Sequence, residues 1–186
     1  MTTSWIETYR GKKFYLLEPT PESILIEDIA HALSQQCRFT GHTRKFYSIA
    51  EHSVHVSLLC GLDKRVCLAG LLHDASEAYI ADLSRPVKYE TPVGPAYFEV
   101  ENRIMQAIAT KFDFEWPMNP KVKTADEIML HTEKDQLMTD LSWDGAWGEP
   151  MILDSAETPL VGYLPRQAEN IFLVRFDELT SAAPRS

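Results

Sequence analysis

Apolar residues recur at helical spacing along most of this chain. Ile26, Ile29, Ala30 and Leu33 lie three or four apart and predict a helix over about 21–36, with Thr20 as its N-cap and Pro21 in its first position. Ser48 and Glu51 form the Ser-x-x-Glu pattern of a capping box and start a second helix, whose apolar face continues through Val56 and Leu59 to Gly61. Asp63 is read as the cap of a third, running through Leu72 and His73 to about Ile80. Pro95 opens a fourth, with Phe98, Ile104, Met105 and Ile108 as its buried stripe, and the interruption Pro117-Met118-Asn119-Pro120 leads into a fifth, from about Pro120 to Thr139. A last helix, about Pro165 to Leu179, shows Ile171, Val174 and Leu179.

The departures from this pattern are local. Trp5 to Tyr9 and Phe14 to Leu17 flank Arg10-Gly11-Lys12-Lys13 and predict a short hairpin within residues 1–18. The polar stretch from Arg38 to Tyr47 and the Pro- and Gly-containing stretch from Asp82 to Gly94 read as loops. Residues 140–164, rich in Trp, Gly and Pro, read as one long loop, and 180–186 as a disordered tail. The expected fold is all-α: a helical bundle with a short N-terminal β-hairpin, one domain over residues 1–186.

Composition narrows the function classes. The chain has 186 residues and is 45% hydrophobic, enough for a sizeable core, but it holds no run of 18 apolar residues, so no membrane span is expected. Its first residues lack a basic region followed by an apolar one, so no secretory signal is expected. Three cysteines, Cys37, Cys60 and Cys67, without a Cys-x-x-Cys pair, fit a reducing cytoplasm and the role of small apolar residues. The net charge of −9 argues against a nucleic-acid polymer as partner, since phosphate neutralisation needs a basic surface. An anionic small substrate remains compatible, because it needs only a local cluster of cations and a metal.

The chemistry concentrates in Leu71-Leu72-His73-Asp74-Ala75-Ser76-Glu77, where an apolar run leads into three groups that bind metal or move protons. Such groups are rarely buried unless paired, protonated or coordinated. His52 upstream and Asp126 downstream complete a set of two imidazoles and two carboxylates, which suits Mn, Co, Fe, Ni or Zn. On a continuous helix His73 and Asp74 would point about 100° apart, so a shared metal would have to lie between the two directions. The metal is expected where the second, third and fifth helices converge. His55, three residues beyond His52, is the competing ligand on that helix; His31, His42 and His131 have no companions at metal spacing.

The order His52, His73-Asp74, Asp126 resembles that of the HD-domain metal-dependent phosphohydrolases. The words Arg38-Phe39, Ala50-Glu51-His52-Ser53, His73-Asp74-Ala75-Ser76-Glu77 and Asp82-Leu83-Ser84-Arg85-Pro86-Val87-Lys88-Tyr89 bring it close to the small members that act on deoxynucleotides, the bacterial 5′-deoxynucleotidases and the phage dATP triphosphohydrolases. The resemblance covers about half the chain, from residue 38 to residue 126.

The resemblance implies one divalent metal on His52, His73, Asp74 and Asp126, with Co, Mn or Zn expected first and Mg, Fe or Ni also admissible. It favours His52 over His55, because the match is to Glu-His-Ser. Glu77 is expected to orient or deprotonate the attacking water, and Asp82 to protonate the leaving oxygen or position the nucleophile; either could be the base. Arg38, Lys88 and Lys123, with Arg85, are the phosphate candidates, and Phe39 and Pro86 are candidates for stacking on a base. The related bacterial nucleotidases tend to have Trp after the Arg, where Phe39 stands here. Trp143 and Trp147 are candidates for a lid, a subunit contact or packing of the long loop.

The implied activity is cleavage of the 5′ phosphoester of a deoxynucleotide, releasing phosphate from a dNMP or triphosphate from a dNTP, notably dATP. A homo-oligomer is expected from the resemblance alone. A non-catalytic nucleotide or metal sensor on the same scaffold stays open, as does a di-iron HD oxygenase, which would have to recruit His55 or His131.

Overall fold

The computed structural model describes residues 4–139 and 159–181. Within them the chain forms eight α-helices and one two-stranded antiparallel hairpin: α1 Ile26–Gln35, α2 Ile49–Leu59, α3 Lys64–Leu71, α4 Glu77–Ile80, α5 Arg85–Glu90, α6 Val93–Phe112, α7 Pro120–Leu137 and α8 Pro165–Thr180. The expected all-α bundle with a hairpin is what forms. No helix among the described residues is long and apolar enough to cross a membrane.

The hairpin is shorter than its apolar residues suggest. Strands β1 Ile6–Glu7 and β2 Lys13–Phe14 pair Ile6 with Phe14 and Glu7 with Lys13. Phe14 is fully buried and stacks on Tyr79 of α4, with ring centroids 3.8 Å apart. A hydrogen bond of 2.6 Å from the Arg10 N–H to Asp28 Oδ1 ties the hairpin to α1.

The predicted first helix divides in two. Pro21–Ser23 is a turn of 3₁₀ helix, Ile24 turns extended (φ −98°, ψ 124°), and α1 begins only at Ile26. The division lets Ile24 reach the core, where it is fully buried. The stretch from Asp82 to Gly94 is not a loop throughout: it contains α5, with Pro86 in the first turn, where its missing N–H costs no hydrogen bond. At Gly94 an added Cβ would fall 2.0 Å from the Lys88 carbonyl oxygen, so the elbow between α5 and α6 requires glycine. On α8 the buried positions are Ala168 and Phe172, whereas Val174 is exposed. Thr180, placed in the expected tail, instead closes α8; residues 182–186 lie outside the described residues, as do 140–158 with Trp143 and Trp147.

The largest departure is in the third helix. It ends at Leu71, the chain turns through Leu72 to Ser76, and a separate short helix follows. Hydrogen bonds of the i to i+3 kind, Ala75 N–H to Leu72 O and Glu77 N–H to Asp74 O, replace the α-helical ladder there. His73 and Asp74 therefore sit in a turn, free of the fixed angular step between helical neighbours.

α2 packs closely on α3 and α8, and α7 closes against both α2 and α3. Ser48 caps α2 by accepting the Glu51 N–H at 3.1 Å. The Glu51 carboxylate is turned toward the segment before α8, accepting the N–H groups of Val161, Gly162 and Tyr163 at 3.0, 2.9 and 2.7 Å. α3 comes close to α2 at Gly70, where a Cβ would meet Cys60 Sγ at 2.6 Å and Ser57 Cα at 3.3 Å. Gly70→Ala should therefore lower stability by about 1–3 kcal/mol through overpacking. Urea unfolding checks this, and Cys60→Ala in the same chain should restore part of the loss; a neutral Gly70→Ala would show that α2 and α3 separate freely.

Candidate metal centre

Three segments bring the candidate ligands together. His52 lies in the first turn of α2, which the Ser48 cap holds in place. His73 and Asp74 come from the turn between α3 and α4, and Asp126 from α7. Nε2 of His52 stands 3.2 Å from Nε2 of His73, 3.1 Å from Asp126 Oδ1 and 3.8 Å from Asp74 Oδ2. Nε2 of His73 stands 3.2 Å from Asp74 Oδ2 and 3.7 Å from Asp126 Oδ1. Side-chain exposure rises across the cluster from 0% at His52 through 9% at His73 and 23% at Asp74 to 40% at Asp126, so it opens to solvent on its carboxylate side.

His52, His73 and Asp74 form a possible metal-binding triad. Donors about 2.1 Å from a common divalent ion stand about 3.0–3.4 Å apart; three of the five spacings here fall in that range, and the other two are 3.7 and 3.8 Å. The far nitrogen of His73 supports the assignment: Nδ1–H donates to the Gly70 carbonyl at 2.9 Å. A carbonyl only accepts, so in the neutral ring Nε2 turns a lone pair toward His52 and two carboxylates. Electron-rich atoms so close together are stable only around positive charge.

The acid–base shifts have the same sense. Burial disfavours a charged His73, but the Asp74 and Asp126 carboxylates outweigh it and hold His73 well above the usual histidine range. Burial likewise opposes ionisation of Asp74, yet His73 brings its carboxyl down to about 2. Asp126 lies well below the usual carboxylate range, with hydrogen bonds to His52 and His73 overcoming burial. Glu77 goes the other way: burial, then the Asp74 and Asp82 carboxylates, push it well above its ordinary value. Its Oε2 is buried and has no hydrogen-bond partner among the described residues. Asp82, at the solvent surface, is also raised, by partial burial and by Asp74.

The cations are already engaged. Arg38 turns inward, donating from Nε to Glu133 at 3.0 Å, and its Nη1 stands 3.6 Å from Asp74 Oδ2. Lys88 donates to Glu101 at 2.9 Å and lies over the rings of Tyr97 and Phe98. Lys123 does not join the cluster: its side chain is 82% exposed and pairs with Glu127 at 3.7 Å. Arg85 lies over the Tyr89 ring, and Pro86 is exposed on α5. Phe39 is half-buried beside the Arg38 guanidinium, in the left-handed region at φ 52°. His55 faces Glu51 at 4.0 Å, and His31 pairs with Glu169 at 3.2 Å.

The sequence reading missed Glu133. It is fully buried, and its Oε1 lies 2.5 Å from His52 Nδ1. Arg38 and His52 beside it hold its carboxyl below the ordinary value despite burial. The signal for it was its spacing, seven residues and two helical turns after Asp126, which returns it to the same side of α7.

No protein-family model matches the chain. It is 36% identical over 180 residues to the uncharacterized protein YfdR of Escherichia coli (strain K12), an alignment that covers 95% of this chain and 96% of that one. An uncharacterized protein of Rhodobacter capsulatus is 34% identical over 163 residues, covering 81% of this chain and 82% of its own. The chain belongs to the same family as these two proteins.

The geometry separates the two histidines of α2. Titration of metal-free protein with Co or Mn should show one ion per chain, with His52→Ala weakening binding at least about 100-fold, as expected for loss of a direct ligand. His55→Ala should leave both stoichiometry and affinity close to wild type. The reverse pattern would remove His52 from the centre.

Proposed function

We propose that this member of the YfdR family is a divalent-metal-dependent phosphohydrolase of the HD type, cleaving the 5′ phosphoester of deoxynucleotides. The observation that carries this reading is the convergence of His52, His73, Asp74 and Asp126, with the buried and unpartnered Glu77 oxygen next to it. The donor set favours Co, Mn or Zn over a thiolate-seeking metal. When bound, such an ion supplies Lewis acidity toward a phosphoryl oxygen and lowers the pKa of a coordinated water.

The remaining steps belong to the chain itself. Glu77, buried and raised in pKa, is in its ionised form a stronger base than an exposed carboxylate and so is suited to take a proton from the attacking water. Asp82, also raised but at the open side, is suited to deliver a proton to the departing 5′ oxygen. Lys88 and Arg38 offset negative charge on the phosphoryl group, and Phe39 and Pro86 are the candidates for stacking on the base.

The supply of cations bears on phosphate number. Arg38 is paired with Glu133 and Lys88 with Glu101, and Lys123 lies apart from the cluster. A phosphate monoester brings about two negative charges, and a triphosphate brings more. The paired state of these side chains favours the monophosphate, with deoxynucleoside and phosphate as products.

The test is incubation of protein loaded separately with Mn, Co and Zn with each dNMP and each dNTP, the products being resolved by chromatography. Deoxynucleoside and phosphate from monophosphates are expected; triphosphate released from dATP would instead mark a dNTP hydrolase. Bound metal without turnover of any of them would leave a nucleotide sensor. Glu77→Ala should keep its metal and lose about 10²–10⁴-fold in kcat, the usual worth of a proton-transfer group. Turnover near wild type would remove Glu77 from the reaction.

A further inference from the structure

Glu133 is fully buried on α7, and both its oxygens are committed. Oε2 accepts from Nε and pairs with Nη2 of Arg38, each at 3.0 Å. Oε1 faces Nδ1 of His52 at 2.5 Å. A guanidinium carries only donors, so it requires an acceptor at Oε2, and the carboxylate offers an acceptor at Oε1 as well. The proton of the second contact then lies on His52 Nδ1, and Nε2 turns its lone pair to the cluster.

We propose that Glu133, itself oriented by Arg38, is the positioning residue that selects which nitrogen of His52 faces the centre. The inference rests on reading the cluster as a divalent-metal site and is independent of the substrate. It gives Arg38 a task apart from phosphate binding. One guanidinium holds the group that orients His52 on α2 and stands 3.6 Å from Asp74 Oδ2 in the turn before α4.

The arrangement makes an isosteric substitution informative. In Glu133→Gln the Arg38 donors select the amide oxygen. The amide N–H₂ is then left facing His52 Nδ1, which must accept. The ring proton moves to Nε2, the nitrogen 3.1 Å from Asp126 Oδ1 and 3.2 Å from His73 Nε2, where a metal would bind. Adding Arg38→Met frees the amide to turn its oxygen back toward His52. It also leaves no buried charge without a partner, so the double variant is not expected to suffer from an isolated ion.

The experiment measures metal affinity by competition with a chromophoric chelator for wild type, Glu133→Gln and Arg38→Met/Glu133→Gln, with thermal unfolding to confirm folding. Glu133→Gln should bind about 10–100-fold more weakly, the range usual for lost orienting partners, and the double variant should regain most of that loss. A Glu133→Gln variant that binds like wild type overturns the proposal, and so does a double variant weaker than the single, because a packing role would make the losses accumulate. A wild-type protein that takes up no metal overturns the proposal together with the hydrolase reading; the first two outcomes leave that reading standing. Zinc-loaded wild type with ¹⁵N-labelled histidine supplies a test that needs no variant. His52 should show a protonated Nδ1 and a metal-bound Nε2, and the opposite assignment overturns the proposal.

Discussion

A fully buried carboxylate, Glu133, reaches from α7 to α2, and much of the surrounding structure follows from it. An uncompensated ion at such a place costs several kcal/mol even after relaxation. The cost is offset only if a cation and a further donor reach it from other elements. Arg38 arrives from the connection between α1 and α2, and His52 from the first turn of α2. The Ser48 cap sets where α2 begins, and thereby how His52 meets α7. The candidate centre is the outward continuation of this pairing, with burial falling from Glu133 and His52 to Asp126.

The second requirement is the interrupted helix at Leu72. Had α3 run on, His73 and Asp74 would have pointed about 100° apart. The turn brings Nε2 of one and Oδ2 of the other to 3.2 Å. The same turn draws on its own backbone: the Gly70 carbonyl at the end of α3 receives His73 Nδ1–H, and at Gly70 α3 leaves no room for a Cβ against α2. Helix packing and ligand orientation meet at one residue, so a change in the α2–α3 contact would be felt at His73.

Two kinds of carboxylate stand around the cluster. Asp74, Asp126 and Glu133 face imidazoles or a guanidinium and are held ionised. Glu77 and Asp82 face mainly burial and their own kind and are pushed toward the protonated form. Groups of one chemical type are thus divided between holding charge and moving protons by their neighbours alone. Glu51, next to His52 in the chain, has a third use, gathering three backbone N–H groups of the segment that leads into α8.

The all-α character and the hairpin were legible in the sequence, because helical periodicity and caps are properties of short windows; the possible triad His52, His73 and Asp74 was legible only through the order of its residues along the chain. The capping pair Ser48 and Glu51 located the start of α2 correctly, yet only half of it acts as a box, since the Glu51 carboxylate finds its partners 110 to 112 residues away. The break in α3 and the division before α1 escaped because apolar spacing continues across both, and α5 escaped because its stretch holds two prolines and a glycine; Ile24 leaves the helix to fill the core, and Gly94 permits an elbow that no local propensity announces. The spacing of Glu133 from Asp126 marked a shared face of α7, but neither its burial nor the inward turn of Arg38 had a local signal. Whether an arginine reaches for solvent phosphate or for a buried carboxylate depends on what another helix, 95 residues along the chain, places beside it. Periodicity along the chain determined which residues form helices, and packing between helices decided which charges meet, because the cost of an unpaired ion appears only once the core has closed around it.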